Sequence, residues 1–276
     1  MPDLIVRGRR VATDEGVIPA SVHIRDGVIT AVAQFDEVPA DGTLFEAGDS
    51  VVMPGIVDTH VHVNEPGRSH WEGFETATRA AAAGGVTTLI DMPLNSIPAT
   101  TSVAAFREKR AAAQGKIWVD VGLVGGVVTG YAAELRPLWD AGVFGFKCFL
   151  VPSGVEEFSH VTEADLRESL PVLAALGTTL LVHAELSGPI ERASAAASLA
   201  SAPNQHSTWL AARPRQAESE AIALLVRLAR EFKARIHVVH LSSSDALPIL
   251  RDAKQSGVRI TVETCPHFLT FAAEEI

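Results

Sequence analysis

The chain has 276 residues, of which 47% are hydrophobic, 20% charged and 6% aromatic, with 21 glycines and 15 prolines, the proportions of a globular protein with a sizeable core rather than of a disordered or collagen-like chain. The 33 acidic against 23 basic residues give a formal charge of −10, and no Lys/Arg cluster stands ready to neutralise a phosphate backbone, which argues against nucleic acid as a partner. Two cysteines, Cys148 and Cys265, cannot build a disulfide framework or a cysteine-only zinc site. No stretch approaches the ~18 consecutive apolar residues of a membrane helix, and the N-terminus lacks a signal-peptide core. The expected setting is therefore cytoplasmic, with no membrane contact.

Residues 1–52 read as short alternating segments, LIVRGRRVA and SVHIRDGVITAVA, separated by DEG and RDG turn signals. They predict a small β domain of antiparallel strands, sandwich-like in type. From residue 53 to 276 the pattern changes to apolar runs alternating with amphipathic helical stretches, the signature of βα units around a parallel sheet. The runs are VVMPGIVDTHVHV (which begins at Val51), VTTLIDMP, IWVDVGLVGGV, VFGFKCFL, TTLLVHAE, RIHVVHLSS and VRITVETCPHFLT. Six helical stretches lie between them, most closed by a glycine. About seven strands predict an α/β fold of the TIM type, a (β/α)8 barrel lacking its eighth strand. A doubly wound open sheet is the alternative, although it usually carries a Gly-rich loop where this chain has HVHVNEPGR.

In a parallel barrel the C-terminal ends of the strands share one rim, where catalytic groups collect. His60 and His62 leave the same face of the first strand, and His183 and His240 end the fifth and sixth runs. A lone HxH pair fits packing as well as metal; four histidines at three strand ends point to metal. Lys147, in the middle of VFGFKCFL, would be desolvated and its pKa lowered. A neutral amine can add carbon dioxide to form a carbamate that bridges two cations, whereas the plain alternative is a lysine paired with a carboxylate. Asp58 reads either as a supporting acid behind the histidines or as a structural one. His237, three before His240, is expected to pack under a helix, and His23, His70, His160 and His206 fall in loop or surface contexts. Cys148 points away from Lys147's face as a small buried hydrophobe.

The strings MPGIVDTHVHVNEPGRSHWEGFETATRAAAAGGVTTLIDMPLNSIPATT, GFKCFLVPSGVEEF, LVHAE, HLSSSDAL and VETCPHFLT together resemble the cyclic amidohydrolases, most closely the allantoinases. The resemblance covers nearly the whole chain. It implies a hydrolase with two divalent metals, zinc as a rule, with His60 and His62 on one ion, His183 and His240 on the other, and Lys147, N-carboxylated by CO2, as the bridge. It implies a homo-oligomer, a tetramer by the family pattern, acting on a small cyclic ureide. The family takes a final ligand and general base from an aspartate at the end of strand eight, which this sequence does not contain. Taken alone, the chain is therefore expected to be inactive, and no catalytic acid or base is assigned within it.

Substrate choice turns on position 64. Related dihydroorotases have an arginine there that grips a carboxylate, whereas this chain has Asn64. With Asn95 it would hydrogen-bond the ureido and ring amides of an uncharged ring such as allantoin's. Arg68 either contacts substrate or holds its loop, and His267, at the end of strand seven, is a candidate for the substrate pocket. Dihydropyrimidinase, hydantoinase or dihydroorotase activity, and a non-catalytic assembly protein on the same fold, are the alternatives.

Overall fold

The computed structural model describes residues 1–198 and 204–272, and the chain divides into two units, Met1–Ile56 and Val57–Ile276. The last four residues of the FAAEEI stretch, where a helix after strand seven would start, lie outside the described residues.

The first unit is one four-stranded sheet of β1 (Leu4–Thr13), β2 (Gly16–Arg25), β3 (Val28–Gln34) and β4 (Thr43–Val52), in the order β3-β2-β1-β4. The RDG signal closes the β2–β3 hairpin: Asp26 and Gly27 both have positive φ, 51° and 75°, the backbone of a tight two-residue turn. The all-antiparallel expectation fails at β4, which runs parallel to β1. Val51 and Val52 belong to β4, so the first apolar run is divided between the units. His23 is buried within β2, its Nε2 2.9 Å from the Glu37 carbonyl oxygen, rather than lying in a loop.

The second unit alternates strand and helix. In chain order it comprises β5 (Ile56–Val61, whose first residue lies in the other unit), α1 (Phe74–Ala83), β6 (Val86–Asp91), α2 (Val103–Ala113), β7 (Asp120–Leu123), β8 (Gly125–Gly126) and α3 (Leu135–Ala141). Next come β9 (Phe146–Phe149), α4 (Glu163–Leu176), β10 (Thr179–His183), α5 (Ser187–Ser198), α6 (His206–Ala212), α7 (Gln216–Phe232), β11 (Arg235–Val238), α8 (Leu247–Gln255) and β12 (Ile260–Val262). The third apolar run supplies both β7 and β8, so the ladder is split into β5-β6-β7 and β8-β9-β10-β11-β12. The β6–β7 pair and the successive pairs from β8 to β12 are all parallel. Among the described residues no ladder joins β5 to β12, and the barrel is not closed.

Local chemistry explains most of the helix limits. Thr162 and Asp165 form a reciprocal capping box at the start of α4, and Gly177, with φ 68°, ends it in the left-handed conformation. Helices α5 and α6 have no counterpart among the expected stretches. The Ala/Ser-rich sequence of α5 carries no apolar stripe, and α6, seven residues long, buries none of its residues.

Strand alternation sorts the side chains. Phe146, Cys148, Leu180, Val182, Ile236, Val238 and Ile260 are buried in one core with Leu166 and Leu170 of α4 and Ile222 and Leu225 of α7. The residues between them, Lys147, Leu181, His237 and Thr261, stand in register on the opposite face. Burial of this size, at roughly 1.5–3 kcal/mol for each large apolar side chain, holds the strand ends that carry the polar residues.

Candidate metal centre

β5 ends at Val61, so His60 is its penultimate residue and His62 lies just beyond it; their rings are 5.5 Å apart. His183 is the last residue of β10. His240 follows β11 by two residues with φ 42°, a left-handed turn that swings its ring towards His183, with Nε2 3.2 Å from His183 Nδ1. The His240 ring also lies 5.6 Å from that of His60. All four histidines therefore meet at one rim. Beneath them Lys147 is 1% exposed, and its Nζ has no hydrogen-bond partner among the described residues. The Phe149 ring stands 5.2 Å away, and the alternative of a lysine paired with a carboxylate finds no ion pair among the described residues.

Two carboxylates not foreseen from the sequence join the cluster. Glu263, just past β12, lies 2.6 Å from His60 Nδ1 and 3.3 Å from His237 Nε2. Glu185 lies 2.8 Å from His183 Nε2 and 2.5 Å from Arg213. The signal for both is position: each follows the C-terminal end of a strand on the histidine rim. His237 is the clearest correction. Strand alternation does not extend to His240, because β11 has already ended; His237 shares Lys147's face and binds Thr261 and Glu263 instead of packing under a helix.

Burial sets the protonation of the site. It pushes His62 down to about 4 and His240 to about 3, helped by the neighbouring positive charges of the cluster, and it lowers His60 as well. The same desolvation lowers Lys147 to about 7. Burial alone would raise Glu263, but its hydrogen bonds from His60 and His237 outweigh that and hold it below its ordinary value. His60, His62 and His240 thus present lone pairs, and the lysine is close to a neutral amine. Asp58 accepts a hydrogen bond from the His60 backbone N–H at 3.1 Å.

Stability should depend on pH as a result. Unfolded imidazoles titrate near 6.5, above the folded values of about 4 for His62 and about 3 for His240, so between those pH values the unfolded chain binds more protons. The stabilising contribution is complete above pH 6.5 and is lost as the pH falls towards 3. Each tenfold difference in proton affinity between the folded and unfolded states is worth about 1.4 kcal/mol. The unfolding free energy of the metal-free protein, followed by urea titration, should therefore drop by several kcal/mol between about pH 7 and pH 4, and His62→Asn should flatten the profile. A pH-independent urea midpoint would contradict this charge state.

Asn95, with φ 73°, brings Nδ2 to 3.5 Å from His62 Nδ1. Asn64 is 7% exposed, and its Oδ1 is buried without a partner among the described residues. Arg68 donates to the Asn95 carbonyl oxygen at 3.0 Å, pairs with Glu157 and lies over Trp71, so it holds this loop. His267 is exposed in a short 3-10 turn, Pro266–Leu269, against Phe268. Phe268, not His267, lines a cavity of about 170 Å³ with His183, Glu185, Glu218, His240 and Ser242. Glu218 of α7 accepts hydrogen bonds from Ser242 N–H (2.9 Å) and Ser243 N–H (2.7 Å), fixing the loop after His240.

Among the described residues no three His, Cys, Asp or Glu side chains stand at metal-binding spacing; His60 instead hydrogen-bonds to Glu263, and His183 to His240 and Glu185. The donor set nevertheless fits a metal pair: four imidazoles, held neutral where burial is deepest, surround a buried amine with no partner among the described residues.

The amidohydrolase family profile matches residues 51–270. The chain belongs to the amidohydrolase family. Its relatives include an allantoinase of Streptomyces avermitilis, 54% identical over 99% of this chain and 61% of that protein. A mitochondrial allantoinase of Aquarana catesbeiana is 45% identical over 99% of this chain and 55% of its own length. Among solved structures, the L-hydantoinase of Arthrobacter aurescens superposes with a TM-score of 0.92 at 32% identity, covering 100% of this chain and 61% of that one. A D-hydantoinase gives 0.86 at 28% identity over 99% and 59% of the two chains. The amidohydrolase chain thus has the TIM-barrel fold of its relatives and spans less than two thirds of their length. No helix among its described residues is long and apolar enough to cross a membrane.

Proposed function

We propose that the protein carrying this chain is a metal-dependent cyclic amidohydrolase that hydrolyses the hydantoin ring of allantoin to allantoate. The observation that carries the reading is the buried Lys147 amine, without a hydrogen-bond partner among the described residues, beneath four histidines. The allantoinases of Streptomyces avermitilis and Aquarana catesbeiana support the choice of substrate. The chemistry is assigned to residues 53–276, with residues 1–52 as a separate small β domain.

His60 and His62 would hold one divalent ion, His183 and His240 the other, with zinc the reading for both. The neutral Lys147 amine would add CO2, losing one proton, to give a carboxylate-like bridge between them. Bound metal supplies Lewis-acid polarisation of the ring carbonyl and acidification of water. The chain's own side chains prepare that chemistry. Glu263 accepts from His60 Nδ1–H and Glu185 from His183 Nε2–H, which fixes each tautomer; His60 Nε2 is left to ligate, and an ion between His183 Nδ1 and His240 Nε2 would take the place of the hydrogen bond that joins them. Asn95 steadies His62 from the side, and Asn64 Oδ1, which has no partner among the described residues, would offer an acceptor to a ring or ureido N–H without placing a charge near the metals. The reading extends to a homo-oligomer in a reducing, cytoplasmic setting, which the free Cys148 and Cys265 support.

The experiment is ring opening of allantoin, dihydroorotate, hydantoin and dihydrouracil by the zinc-loaded full-length protein. Allantoin is expected to be the preferred substrate; a preference for hydantoin or dihydrouracil would overturn the assignment.

A further inference from the structure

We infer that Lys109 and Asp91 form a buried clamp that positions the backbone carrying His62 and Asn95. Lys109 sits on α2 in the charged string FREKR, where Arg107, Glu108 and Arg110 face solvent, yet its own side chain is fully buried. Its Nζ lies 2.5 Å from Asp91 Oδ2 and donates to the Val63 carbonyl oxygen at 3.1 Å and to Ser96 Oγ at 3.2 Å. Asp91, the last residue of β6, accepts from the Val63 N–H through Oδ1 at 2.6 Å.

The placement of these contacts gives the pair its role. β5 ends at Val61, whose carbonyl accepts the Met92 N–H, so the chain leaves the ladder just before His62. Beyond that point both backbone polar groups of Val63 are held by the Lys109–Asp91 pair, in place of a neighbouring strand. The third contact falls on Ser96, next to Asn95, whose Nδ2 approaches the His62 ring. One ion pair therefore fixes the residue after His62 and the residue after the side chain that flanks it. Stability alone is a poor reason for such a pair, because an apolar pair of similar volume is often as stable as two buried charges. Directional bonds to a backbone N–H and C=O are something that apolar side chains cannot supply. Neither residue touches a reacting group, so both are positioning residues.

The inference rests on the reading of His62 as a metal ligand, and the test separates the two. In the full-length protein, Lys109→Met combined with Asp91→Leu removes both charges and leaves neither unpaired. Zinc affinity is measured by chelator competition, and amide hydrogen exchange at Val63 is followed in the metal-free protein. The double variant is expected to keep its melting temperature close to that of the wild type, to bind zinc at least ~10-fold more weakly, the usual scale for groups behind metal ligands, and to lose protection at Val63. Wild-type zinc affinity together with wild-type exchange in a folded double variant would overturn the clamp. Failure of the wild type to bind zinc would overturn the metal reading, while the exchange at Val63 would still test the clamp. Should the double variant not fold, Asp91→Asn keeps an acceptor for the Val63 N–H and Asp91→Ala does not. The clamp then requires tighter zinc binding and slower Val63 exchange in Asp91→Asn; equality of the two variants would contradict it.

Discussion

Lys147→Ala should leave the full-length protein unable to hold a metal pair and unable to open the ring. The side chain is 1% exposed and its amine has no partner among the described residues, so no structural ion pair is lost there, and the cavity left by the truncation lies opposite the larger core, next to Phe149 of the smaller apolar cluster. On the proposed reading, what disappears is the group that would bridge ions held by His60 and His62 on one side and His183 and His240 on the other. Bound zinc should fall from two ions per chain to one or fewer. Turnover should fall by more than ~10²-fold, the scale of removing one preorganised electrostatic contact. A short carboxylate such as acetate, which restores a bridging group, should recover part of both. An alanine variant with full metal content and normal turnover would show that Lys147 does not bridge.

The second large effect concerns substrate. A carboxylate entering beside Asn64 would meet an amide where a guanidinium would be needed, and Arg68 is already committed to Glu157 and the Asn95 carbonyl. Dihydroorotate would leave its charge unpaired in a desolvated site, whereas allantoin's neutral amides would match Asn64 Oδ1, which has no partner among the described residues. The preference in kcat/KM should therefore be at least ~10²-fold for allantoin over dihydroorotate, as expected when a site must leave a polar group unpaired. Asn64→Arg should narrow that ratio from both directions, by removing an acceptor for one substrate and adding a cation for the other. Equal kcat/KM values for the two substrates would remove Asn64 from the specificity argument.

The βα alternation and the strand-end histidines are legible in the sequence because both depend on short-range periodicity. A strand in a parallel sheet packed by helices must be apolar on the helix side, so a lysine or histidine in such a run stands out, as Lys147 and His183 do. What escapes the sequence is set by tertiary contact. Lys109 sits in a charge run whose other members are exposed, and only its tertiary contacts with Asp91, Val63 and Ser96 show that it is buried. His237 is misplaced when alternation is carried through a strand end that the positive φ of His240 interrupts. Glu263 and Glu185 stay hidden because a single carboxylate after a strand carries no pattern until the opposing histidine is in place. Helix α5, built on alanine and serine, lacks the apolar stripe by which the others are recognised, and α6, at seven residues, is too short to show one.

Whether the four histidines and Lys147 form one dinuclear site is tested most directly by diffraction at the zinc edge from crystals of the full-length protein grown with zinc and bicarbonate. Two anomalous peaks are expected, one within bonding distance of His60 and His62 and one within bonding distance of His183 and His240, with density extending Lys147 Nζ as a carbamate between them. A bare Lys147 amine with zinc bound elsewhere, or a single peak held by only one histidine pair, would contradict the dinuclear site.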